Sequence, residues 1–167
     1  MKRKKGKRIP WNKGRIVGQQ APLSHSEVTR VKKMLAKRGD KGLRDRALFL
    51  TAIDSMLPSQ ELLGLTVKVV RKRNHEMRDT FELTTFRHGQ RVRCELSKIT
   101  MRVLEKWINQ SAKKPNDYLF TGRLDGGLTP ITIRQFRRLV KTWTEGIGLD
   151  PSAYGTVSLR RTGTINR

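Results

Sequence analysis

Cysteine is almost missing: Cys94 is the one thiol in 167 residues, so neither an intrachain disulfide framework nor a cysteine-rich zinc site is available. No run approaches the roughly 18 apolar residues a membrane span requires, and the basic N-terminus lacks the apolar stretch of a secretory signal. A reducing, cytoplasmic or nucleoid-associated setting is expected. His25, His75 and His88 lie far apart without ligand spacing, and there is no P-loop, dinucleotide glycine fingerprint or Ser-His-Asp pattern. Neither metal nor cofactor is therefore expected. Acidic residues are scarce too, 14 Asp+Glu against 37 Lys+Arg, which leaves a formal net charge of +23.

That charge directs attention to a polyanion, because each phosphate contact releases condensed counterions. The cations recur along the whole chain instead of lining one face of an amphipathic helix, which favours double-stranded DNA over an anionic membrane. Residues 1–22 read as a basic disordered arm. Lys2, Arg3, Lys4, Lys5, Lys7, Arg8, Lys13 and Arg15 face no acid before residue 16, and Gly6, Pro10 and Gly14 break any periodicity. The arm is expected to lie along phosphates, with Trp11 packing back on the domain.

Residues 23–167 read as one domain. Ser24 and Glu27 form a capping box ahead of a stripe of Val28, Val31 and Leu35, and Gly39 ends that helix. The segment from Leu43 to Leu57 is apolar over much of its surface and predicts a buried central helix, stopped by Pro58, which opens a short helix over Ser59–Leu63. The segments 66–70, 80–85 and 91–96 predict a three-stranded antiparallel meander. Its cations, Lys68, Arg71, Lys72, Arg73, Arg87, Arg91 and Arg93, form a positive face or turn edge. Ile99, Val103, Leu104, Trp107 and Ile108 mark another helix, Tyr118-Leu119-Phe120 a short buried stretch, and Gly126-Gly127 a turn. Thr129-Pro130 is expected to start a helix whose Ile133, Phe136, Val140, Trp143 and Ile147 face inward. Arg134, Arg137, Arg138 and Lys141 occupy its opposite side, and Gly148 ends it. Cys94 reads as a small core residue. The fold class is α+β, mainly α-helical, with a small sheet.

Four stretches carry a resemblance. Asp45 to Leu50 followed by Glu61-Leu62-Leu63-Gly64-Leu65, then Gly89 to Glu95, then Asp117 to Phe120, and last Tyr154-Gly155-Thr156-Val157-Ser158-Leu159-Arg160-Arg161-Thr162, are together similar to the catalytic domain of the tyrosine recombinases, the phage-integrase family. The likeness runs from about Leu23 to the last residue. It implies a basic face turned toward duplex DNA, here assigned to the arm, Arg87, Arg91, Arg93, Arg134, Arg137, Arg138, Lys141, Arg160 and Arg161.

The family's chemistry, as the resemblance implies it, needs two arginines and a histidine or lysine around the scissile phosphate. It also needs a lysine to protonate the leaving 5′ oxygen and a tyrosine to attack. The first arginine falls at Pro58, which offers neither charge nor donor. The lysine falls at Arg87, which stays charged but is a very poor proton donor. The histidine falls at Val157, and only the second arginine persists, as Arg160. Losing one such donor costs about 2.7–4 kcal/mol of transition-state stabilisation. Tyr118 and Tyr154 fall in scaffold positions, and the chain ends at Arg167 before the family's terminal helices and nucleophile. The expectation is a DNA-binding accessory or regulatory protein of recombination or mobile-element biology that cuts no strand. Apolar surface left by the missing helices would be covered by a second copy or by a full-length recombinase. The competing readings are a subunit completed in trans by another chain's tyrosine, an inhibitor that occupies a recombinase's subunit interface, and a decayed fragment without function.

Overall fold

The computed structural model describes residues 20–165. Its first helix, α1 (His25–Lys37), begins at the anticipated capping box: the Ser24 side chain accepts from Glu27 N, and the Glu27 carboxylate accepts from Ser24 N at 2.7 Å. Two of the four orphan donors at the helix start are satisfied in this way. Val28, Val31 and Leu35 are buried as the stripe predicted, and Gly39, at φ +56, turns the chain away.

Helix α2 (Leu43–Ser55) is the central element, with Ala47, Leu48, Phe49 and Leu50 among its buried side chains. Both α5 (Lys98–Gln110) and α7 (Thr156–Ile165) pack on it. Met56 takes a left-handed conformation and Pro58 caps α3 (Ser59–Leu63), so the chain reverses where the proline predicted. Helix α6 (Ile133–Gly146) closes the core. Trp143 is buried edge-on against Phe49 and Phe136, at ring-centroid distances of 5.6 and 6.5 Å. No helix among the described residues is long and apolar enough to cross a membrane.

The sheet has two strands rather than three. Strands β1 (Thr80–Thr84) and β2 (Arg91–Glu95) pair antiparallel, with Phe81 opposite Cys94 and Glu82 opposite Arg93. Phe81 and Cys94 are buried, as expected of the inward positions. The segment assigned to a third strand is instead a single turn of helix, α4 (Val67–Val70). Its buried valines, Val67 and Val70, stand three apart, the spacing of one helical face and not of a strand. Tertiary hydrogen bonds hold it: Val67 N donates to Asp117 O and Lys68 N to Pro115 O, at 3.0 and 2.8 Å. Only isolated bridges remain of the pairing, Thr66 with Tyr118 and Arg71 with Met77.

Three further expectations change. Helix α6 starts at Ile133, not at Pro130, because Thr132 and Gln135 build a second capping box while Pro130 bridges to Thr121. Tyr118 is exposed, although Leu119 and Phe120 beside it are fully buried. Ile99 and Ile133 are exposed as well, each lying in the first turn of its helix, beyond the edge of the packed face.

Helix α7 approaches α2 unusually closely at Gly163. A Cβ there would lie 2.1 Å from Ile53 O and 2.5 Å from Met56 Cγ. Gly163→Ala is therefore expected to destabilise the domain by about 1–3 kcal/mol through overpacking against backbone. Urea unfolding checks this, and an unchanged midpoint would mean that α7 is not seated on α2 in this way.

Candidate nucleic-acid interface

Helix α6 has two chemically opposite sides. Phe136, Val140, Trp143 and Thr144 face the core, and Ile147 just beyond the helix is buried with them. Arg134, Arg137, Arg138 and Lys141 are all exposed. Their i, i+3, i+4, i+7 spacing puts four cations on one face, where like charges repel. No carboxylate pairs with any of them among the described residues, whose ion pairs lie elsewhere. An arriving row of phosphates would relieve that repulsion.

The positions matched to strand-cleavage chemistry fall in two groups. In the first, the Pro58 carbonyl accepts from Leu62 N at 3.0 Å, and the side chain is a ring with nothing to offer a phosphate. Glu61, one turn later, is buried and accepts from Phe86 N at 3.3 Å. This bond ties the 85–90 turn to α3 and so brings Arg87 to the same end of the molecule as Pro58. Arg87 is exposed there, on a turn closed by Thr85 N donating to Gln90 O, with Gly89 at φ +60.

The second group lies on α7. Val157 and Arg160, three apart, share an exposed face, while Leu159, Thr162 and Gly163 point inward. The groups connect through α2, whose last turn leads to Pro58 and receives Gly163 of α7. Arg161 differs from its neighbour: it is half-buried, and its guanidinium donates to Gln20 O at 2.8 Å. Leu23 N donates to Thr162 Oγ1 at 2.9 Å. Arg161 thus fastens the start of the domain to α7, a partner 141 residues away that no local pattern could show.

Arg91 and Arg93 point outward from the sheet but share that face with Glu82 and Glu95. Arg91 sits 3.9 Å from Glu82, so the local field is partly neutralised. The arm cations from Lys2 to Arg15, and Trp11, lie outside the described residues. Tyr154 is half-buried. Burial, and after it the Glu27 carboxylate, holds its phenol above the ordinary range.

Sequence reasoning passed over one concavity. A cleft of about 470 Å³ opens between the Gly39–Gly42 turn, the end of α5 and the 121–128 loop. Lys41, Arg44, Lys113 and Arg123 line it together with Asp40 and Asp117. Lys113 donates to Thr121 Oγ1 at 2.8 Å and lies 5.7 Å from the Trp107 ring centre. Burial lowers the pKa of its ammonium, and nearby Asp117 offsets this in part. Its only sequence signal is its place just after a helix end.

This arrangement of helices around a small sheet is shared with solved recombinases. The XerA recombinase structure superposes with a TM-score of 0.70 at 16% identity, over 91% of this chain and 50% of that one. The XerH site-specific recombinase bound to its difH substrate gives 0.66 at 17% identity, over 89% and 44%. The chain has the catalytic-domain fold of the tyrosine recombinases. A third structure of that fold, the Tn1549 transposon integrase with circular-intermediate DNA, gives 0.63 at 18% identity, over 91% and 53%. This chain therefore spans about half the length of the recombinases it matches. No protein-family model and no curated protein matches it by sequence.

Proposed function

We propose that the protein binds duplex DNA through the exposed face of α6, with Arg160 and the basic arm, and does not itself break strands. Its role is that of an accessory or regulatory factor in DNA recombination or mobile-element biology. The observation that carries this reading is the row Arg134, Arg137, Arg138 and Lys141, four exposed cations without a carboxylate partner among the described residues, on a recombinase fold. Gln20, where the described chain begins, is held on α7 by Arg161, the residue next to Arg160 in sequence. Duplex affinity is expected to fall steeply with salt, since each phosphate contact contributes a slope of about −0.9 in log affinity against log salt concentration. A flat dependence in a fluorescence-anisotropy titration would refute DNA binding.

Support for a non-cleaving role comes from the matched positions. Pro58 has no side-chain group to clamp a phosphate, Val157 has no side-chain donor, and an arginine stands at position 87 where the resemblance asks for a lysine. Incubation with a nicked suicide duplex is expected to leave the protein free of covalent DNA on a denaturing gel. A shifted band, alone or with an added recombinase, would instead establish a cleaving subunit. Self-association or docking on a full-length recombinase belongs to the same proposal, supported by Val157 and Ile165, which are 52% and 62% exposed on α7. Sedimentation at micromolar concentration, alone and with a recombinase, checks it: a lone monomer in both mixtures speaks against docking.

A further inference from the structure

A second concentration of positive charge lies away from α6 and α7. The Arg71-to-Met77 turn, the start of α4 and the segment after α5 enclose a groove of about 250 Å³. Among the described residues six cations line it, Lys68, Arg71, Lys72, Arg73, Arg78 and Lys113, and no carboxylate does. Glu76 pairs with Lys72 of this set at 3.1 Å, and both are largely exposed. Arg73 and Arg78 make no ion pair among the described residues.

The groove is built rather than incidental. Arg71 Nε donates to His75 O at 2.9 Å, and Lys72 N donates to Glu76 O at 2.8 Å, so the turn is closed from both sides. Arg78 N donates to Val70 O, and Lys68 Nζ reaches Asn116 Oδ1 at 3.1 Å, fixing the groove to the segment after α5. Lys113 forms a shared wall with the larger cleft, where Lys41, Arg44 and Arg123 outnumber Asp40 and Asp117.

Its position in the fold separates it from the Arg87 turn, which the Glu61 bond ties to α3, a helix packed on α6. The β1–β2 register puts the 85–90 turn, with Arg87, at one end of the ladder, and the 71–77 turn precedes β1 at the other. Six residues of near-extended chain lie between Met77 and Thr84, a separation on the order of 20 Å. We infer that this groove is a second phosphate-binding site, through which the protein holds a second nucleic-acid duplex while α6 holds the first. Three arginines suit the paired oxygens of phosphodiesters. An acidic protein segment fits less well, because among the described residues the lining offers Val67 and Pro115 to receive apolar side chains, and of the ring side chains His75 but no Phe, Tyr or Trp. The inference rests on the α6 reading for the first duplex alone.

The test uses a bead-bound duplex and a labelled free duplex, bridged by the full chain. A variant with Lys68→Gln, Arg73→Gln and Arg78→Gln spares Arg71, which holds the turn. This variant is expected to bind a single duplex within about twofold of the parent and to capture the labelled duplex at least about tenfold less well. Undiminished capture by the variant, or no capture by a parent that binds single duplexes normally, overturns the inference and leaves the α6 reading standing. Failure of the parent to bind any duplex overturns both. Polyglutamate is the control ligand: if the parent binds it, the variant does not, and no second duplex is captured, the groove takes acidic protein and the inference is wrong.

Discussion

Replacing Arg134, Arg137, Arg138 and Lys141 together by alanine is expected to remove most of the protein's affinity for duplex DNA and to flatten its salt dependence. If each side chain meets one phosphate, the slope of log affinity against log salt falls by about 3.6, four contacts at about 0.9 each. Raising salt from about 50 to about 200 mM would then weaken the variant on the order of a hundredfold less than the parent. The substitutions lie on the exposed side of α6 and leave Phe136, Val140 and Trp143 untouched. They also remove like-charge repulsion along the helix, so the variant should melt no lower than the parent. Unchanged affinity and slope in a variant of parental stability would show that the α6 face does not meet phosphate. A lower melting temperature would show that the four side chains support the fold.

Trp143→Ala is expected to carry a large stability penalty, the indole being among the largest fully buried side chains. The indole is 1% exposed and meets Phe49 and Phe136 edge-on. Truncating a buried aromatic of this size costs about 3–5 kcal/mol, transfer and cavity combined. That is comparable with the lower end of the roughly 5–15 kcal/mol that holds a domain folded. The indole N–H has no acceptor among the described residues, so its removal forfeits no hydrogen bond. Trp143→Phe, which keeps a ring in the same place, should therefore cost well under half as much. Urea titration followed by circular dichroism distinguishes the two. Equal costs would mean that the contact depends on the indole specifically and not on filled volume. Because Trp143 seats the helix that displays the four cations, the alanine variant should also lose DNA affinity, and the phenylalanine variant should keep it.

Elements built from near neighbours were legible in the chain. The Ser24–Glu27 capping box joins residues three apart, and the two faces of α6 recur every three or four. The buried length of α2 and the reversal at Pro58 follow from composition and from one ring. Candidate DNA contacts on α6 were legible for the same reason, since helical spacing alone puts Arg134, Arg137, Arg138 and Lys141 on one side. The segment 66–70 was not. Its β-branched residues suit a strand, but backbone bonds to Pro115 and Asp117, 47 to 50 positions on, wind it into a helical turn. Pro130 misled in a similar way, because its bridge to Thr121 competes with a place in the helix.

The site shows the same division. Residue types alone determined that the side chains of Pro58 and Val157 bring no phosphate-binding group and that a net charge of +23 favours a polyanion. Which cations act together was decided only by tertiary structure. Arg160 and Arg161 are adjacent in sequence, yet one faces solvent and the other holds Gln20. Lys113 is far from Lys68 and Arg78 along the chain, yet it closes the same groove. The physical reason is range. Helical periodicity and capping act over a few residues and can be read from neighbours, whereas a groove's charge is a sum over side chains that only the folded path brings together.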